Sequence, residues 1–121
     1  MQINSNTNPR QALGKSAEVL AAQWLTEHGA IVLVRNYRVK GGEIDLVVEW
    51  GIDLVFVEVR ARISAGRWVR AEETVTFPKQ LRIERAARQF LQTYRGRATG
   101  IRFDVLAWDG RSWIHLPRAW R

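Results

Sequence analysis

Five acids stand in the most apolar stretch of the chain, GGEIDLVVEWGIDLVFVEVRAR, which runs from Gly41 to Arg62: Glu43, Asp45, Glu49, Asp53 and Glu58. An ionised carboxylate in apolar surroundings is costly unless a positive group meets it. Gly51-Ile52 reads as a two-residue turn between two strands, Glu43 to Trp50 and Asp53 to Arg60. In that register Asp45 faces Glu58, and Glu43 faces Arg60. Directly opposed side chains have Cβ atoms about 4.5–5.5 Å apart on one face. Two carboxylates that close repel unless a proton or a cation sits between them. A hard divalent ion such as Mg²⁺ answers this, because it takes one or two carboxylates together with waters and substrate phosphates. Asp45 and Glu58 therefore read as metal ligands. The alternative is a solvated sheet face on which Arg60 neutralises Glu43. Spacing leaves both readings open, since a bulge or a longer turn would shift the pairing.

The elements that must hold these acids fit one domain. The chain has 121 residues and 46% hydrophobic content, enough for one core and too much for a disordered protein. Residues 1–7 read as a disordered tail and 8–121 as a single domain. Asn8-Pro9 signals a helix start, with Asn8 as N-cap. Leu13, Ala17, Leu20, Ala21, Trp24 and Leu25 follow on one helical face, and Gly29 reads as the C-cap. AIVLVRNYRV is strand-like, and Gly41-Gly42 turns the chain into the acid-bearing hairpin. Residues 62–77 show no clear period. Pro78 opens a second helix, with Ile83, Ala86, Ala87, Phe90, Leu91 and Tyr94 on its apolar face and Arg82, Arg85 and Arg88 opposite. IRFDVLAW and RSWIHL close the chain as two strands around a turn at Asp109-Gly110. The expected order is α-β-β-β-α-β-β.

Composition excludes several classes. There is no cysteine, so no disulfide framework and no thiolate zinc site exists. The two histidines, His28 and His115, are too far apart in sequence to suggest a histidine cluster, and a satisfied structural role is expected for both. No apolar run reaches the roughly 20 residues that span a bilayer. MQINSNTNPR has no apolar segment of the secretory kind, so a cytoplasmic protein without a membrane partner is expected. Formal net charge is +7, and Arg60 to Arg102 holds eleven Lys or Arg against three acids. That asymmetry favours a polyanionic partner, with nucleic acid first and an anionic membrane surface second. A solvated basic surface is the plainer reading of the same numbers.

GGEIDLVV followed by VFVEVRAR resembles the Asp…Glu-x-Lys signature of the restriction-endonuclease-like, PD-(D/E)xK nuclease superfamily. GKSAEVLAAQWLTEHG, VRNYRVKGGEIDLV, LVFVEVRAR, FPKQLRIERAARQFL and IRFDVLAW, in that order, resemble the YraN-like family of small bacterial proteins. The match runs from Gly14 to about Trp108. It implies an α/β fold with a restriction-endonuclease-like α-β-β-β-α-β core, a mixed sheet flanked by helices. It also implies an endonuclease related to archaeal Holliday junction resolvases. By position, the implied catalytic residues are Glu18, Asp45, Glu58 and Arg60, with Asp45 and Glu58 holding Mg²⁺ or Mn²⁺. Branched DNA is the implied partner, and a homodimer would suit a four-way junction.

The sequence departs from the pattern at Arg60, where a lysine is expected. Lysine is a compact cation whose pKa can fall, whereas arginine stays charged and cannot act as a base. Arg60→Lys is accordingly expected to raise cleavage. A second departure is Trp68 in AGRWVR, where the family tends to have Phe-Gly. Arg62, Trp68, Lys79 and Arg82 are the candidate nucleic-acid contacts, the cations for phosphates and Trp68 for stacking on a base. Asp104 matches the family, and orienting an arginine is its plainer role. Trp108, Trp113 and Trp120 are assigned to the core or to a partner surface. Two other functions stay open beside the nuclease. One is a catalytically impaired nucleic-acid-binding protein of the same fold, favoured by Arg60. The other is a basic scaffold that contacts a protein partner through its tryptophan-rich end.

Overall fold

The computed structural model describes residues 17–61 and 75–120. Helix α1 (Ala17–Glu27) precedes strands β1 (Ile31–Val39), β2 (Gly42–Trp50) and β3 (Asp53–Arg60). Helix α2 (Phe77–Thr93) follows, then strands β4 (Gly100–Trp108) and β5 (Trp113–Trp120). The expected α/β order holds. The strands make one five-stranded sheet in the order β1-β2-β3-β4-β5. Neighbours are antiparallel except β3 and β4, which are parallel. A parallel pair needs a long crossover, and α2 lies within it.

The central strand shows why the fold forms. Leu54 to Glu58 are buried without alternation, as expected of a strand covered on both faces. Leu54 and Phe56 pack with Ile83, Ala86 and Ala87 of α2. Val55 and Val57 pack with Ala21 and Leu25 of α1. Each such large side chain contributes about 1.5–3 kcal/mol on burial.

The Gly51-Ile52 turn is as read, since Trp50 pairs with Asp53 and Gly51 has φ 62°. Gly42 allows a close approach, because a Cβ there would meet the Arg82 carbonyl oxygen at 2.5 Å. The β1–β2 turn thus lies against α2. At the end of α1, Gly29 N donates to Thr26 O and Ala30 N to Leu25 O, which closes the helix as expected. The expected start at Asn8-Pro9 and the tail at residues 1–7 lie outside the described residues.

Three boundaries differ from expectation. Thr76 caps α2, accepting from Lys79 N, so the helix begins at Phe77, one residue before the Pro78 expected to open it. The final turn spans four residues instead of two. Trp108 pairs with Trp113, because the Asp109 carboxylate accepts from Arg111 N at 2.8 Å and Ser112 N at 2.9 Å. Lastly, β5 continues past Leu116 to Trp120 with a register shift, and its place at the sheet edge tolerates Pro117. Trp108 and Trp120 are core residues, and Trp113 packs edge-on against Trp108.

No described helix is long and apolar enough to cross a membrane.

Candidate active site

The ladder between β2 and β3 runs from Trp50–Asp53 to Leu46–Val57, in the expected register, and stops one step short of Asp45 and Glu58. There the strands part. The Asp45 carboxylate takes over from the backbone and accepts from Val59 N at 2.8 Å. Just before this point β2 rotates. Ile44 belongs to the α2-side core and Leu46 to the α1-side core, although residues two apart in a strand ordinarily share a face. Asp45 sits at the rotation and so reaches both sides of the sheet.

Glu58 lies on the α2 side and is 3% exposed. Burial pushes its carboxyl up to about 8, and the nearby Asp45 carboxylate pushes the same way, while Lys79 and Arg60 oppose them. On the α1 side, Glu18 lies against Asp45. Burial raises its pKa first and Asp45 adds to the effect, while the Asn36 side chain and Arg38 lower it. Three carboxylates from α1, β2 and β3 thus form a chain with Asp45 in the middle. Among the described residues no three acidic, histidine or cysteine side chains converge closely enough to cage a metal ion by themselves. The donors fit an ion that keeps waters, held by one or two carboxylates.

The cations are arranged differently from the expected pairing. Glu43 does not face Arg60. It pairs across the ladder with Arg38 of β1, and its carboxylate meets Lys79 Nζ at 3.4 Å and Arg82 at 3.6 Å. Arg60 turns to Glu58, at 3.4 Å. Lys79 also lies 3.7 Å from Glu58. The physical reason is the cap at Thr76, which puts Lys79 in the first turn of α2, beside the open end of β3. Lys79, read as a phosphate contact, therefore belongs to the acid cluster. Arg82 is 55% exposed at the rim, and Arg85 donates to the Gly41 carbonyl. Arg62 and Trp68 lie outside the described residues.

Asp104 takes no part in this cluster. It is fully buried, accepts from Arg102 Nε and Arg118 N, and meets His115 Nε2 at 2.7 Å. Its role of orienting an arginine is as read. His28 meets the Trp24 carbonyl through Nδ1, so both histidines have structural partners. Asn36, whose side chain acts on Glu18, is a neighbour of the cluster that no motif names. The available signal was an asparagine inside a β-branched run, since Asn accepts the left-handed backbone better than its neighbours do.

A model of the Uncharacterised protein family UPF0102 matches residues 17–108. The chain is 46% identical over 114 residues to a UPF0102 protein of Anaeromyxobacter dehalogenans, covering 91% of this chain and 84% of that one. It is 48% identical over 102 residues to a UPF0102 protein of Ralstonia nicotianae, covering 82% and 78%. With a UPF0102 protein of Rhodococcus opacus it shares 45% over 96 residues, covering 79% and 80%.

Proposed function

The chain belongs to the uncharacterised protein family UPF0102, and we propose that this member hydrolyses DNA phosphodiesters using Mg²⁺ or Mn²⁺ at Asp45 and Glu58. One observation carries the reading: Glu58 is buried beside Asp45, with Lys79 and Arg60 next to it. A hard cation bound by these oxygens would polarise a phosphate and activate water. Asp45 is braced for such a task by Val59 N. Glu18 adds negative charge from α1. Lys79 and Arg60 offer positive charge to a phosphodiester as it is attacked. Arg82 and the arginines beside it on α2 would hold flanking phosphates. The family resemblance adds branched DNA as the substrate class and a homodimer as the assembly.

The test is cleavage of duplex, single-stranded, flap and four-way DNA with Mg²⁺ or Mn²⁺. Cutting that is abolished by chelator supports the proposal. A second reading, binding without cleavage, is favoured by Arg60 at the lysine position. It takes over when every substrate is bound and none is cut.

Three further outcomes are expected. If about four to six phosphates are neutralised, log K for DNA should fall against log[salt] with a slope of roughly −3.5 to −5.5. A salt-independent affinity would count against the basic surface. Lys79→Ala should lower the cleavage rate by about 10²-fold at saturating DNA, the scale of one lost electrostatic contact. Because Lys79 already brings an ammonium to Glu58, Arg60→Lys should gain less than about tenfold, a smaller effect than the lysine-for-arginine contrast alone suggests. A Lys79→Ala rate close to wild type would remove Lys79 from the mechanism.

A further inference from the structure

The rotation of β2 at Asp45 has a counterpart in β1. Asn36 stands across from Asp45, bracketed by the Arg35–Leu46 and Tyr37–Ile44 pairs. Its φ is 54°, in the left-handed region. That conformation costs most residues about 1–2 kcal/mol and is tolerated by Asn because its short side chain bonds locally. Since β1 is an edge strand, only β2 constrains it within the sheet. Val34 and Tyr37, three apart, both pack against the α2-side core, so the alternation of β1 breaks between them and puts Asn36 on the side of α1, where its side chain lowers the pKa of Glu18.

We propose that Asn36 is a positioning residue of the acid cluster. Its left-handed backbone matches the turn of β2 that sets Asp45 between the two faces, and its amide holds the Glu18 carboxylate toward Asp45. The inference rests on the reading of these acids as a cation site. It concerns a residue outside the acids and cations named above, and it separates into a backbone part and a side-chain part. Glycine at this position keeps the first and removes the second.

The experiment titrates Mn²⁺ alone into the full chain by calorimetry, with melting curves in parallel. Asn36→Gly should bind Mn²⁺ about tenfold more weakly, the low end for losing a group that supports a metal site from behind its ligands. Its metal-free melting temperature should stay within about 4 °C of wild type, about the shift that a 1 kcal/mol change would give. In a Glu18→Gln background, Asn36→Gly should cause no further loss, because the amide acts through Glu18. Asn36→Ala, which loses the backbone preference as well, should melt lower than Asn36→Gly. Unchanged Mn²⁺ affinity in Asn36→Gly overturns the proposal. So does a tenfold loss that persists in Glu18→Gln. Asp45→Asn distinguishes the underlying reading: if it binds Mn²⁺ like wild type, the cation site fails and the proposal falls with it.

Discussion

Asp45→Asn should lower metal-dependent cleavage by about 10²–10³-fold, the scale of losing a group that stabilises the transition state. The same change should raise the melting temperature of the metal-free protein at pH 8. Asp45 raises the pKa of both Glu58 and Glu18, so it is a source of repulsion when no cation is present. Asparagine keeps an oxygen for Val59 N and adds an amide that can donate to Glu58. Lost activity with gained stability is the signature of a functional acid held against electrostatic cost. Unchanged cleavage with lower stability would mean that Asp45 merely braces the end of β3. Rates at saturating DNA and melting curves on the same preparations decide between them.

The second large effect is the pH dependence of stability without metal. An ordinary Glu titrates near 4.5, and Glu58 in the folded protein titrates at about 8. Between these values the folded state holds a proton that the unfolded chain has released. Stability must therefore fall as pH rises through this window and level off above it. Glu18 is shifted in the same direction. The loss from pH 5 to pH 8 is on the order of a few kcal/mol, or about 10 °C or more in melting temperature for a domain of this size. Mg²⁺ or Mn²⁺ should restore most of it at pH 8, since a bound cation favours the ionised carboxylates. Glu58→Gln should remove most of the decline. Asp109 is lowered by the N–H groups of Ser112 and Arg111, so its contribution is lost only below the window, as pH falls. A metal-free melting temperature that is flat or rises from pH 5 to pH 8 would contradict the burial of Glu58 as a proton-holding acid.

Much of this architecture was legible in the chain. Glycine before Ile52 marked the tight turn, and the period-two rule then carried Asp45 close to Glu58 with no knowledge of the rest of the molecule. Gly29 marked the end of α1 because a left-handed residue closes a helix most cheaply when it has no Cβ. The apolar stripe of α2 followed from its 3.6-residue period. Glu18 was different. On its own helix it resembles any surface glutamate, and only the family resemblance singled it out.

What the residues could not specify was which cation meets which acid. Opposition across the hairpin pointed to Arg60 as the partner of Glu43. The paired ladder instead ends at Leu46–Val57, and beyond it side chains follow the helix packed alongside. Lys79 is separated from Glu43 by 36 positions. Its approach depends on Gly42 letting the β1–β2 turn close onto α2, and on the cap at Thr76 that sets the helix phase. Likewise, no periodic pattern announces that β2 rotates at Asp45, because the rotation is shared with the left-handed Asn36 on the neighbouring strand. Local spacing and turn chemistry determined the elements, the register and the acid pair, since those depend on residues near in sequence. The cations, the burial of Glu58 and the reach of Asp45 across both faces were decided by tertiary packing, because each depends on surfaces that meet only when the chain is folded.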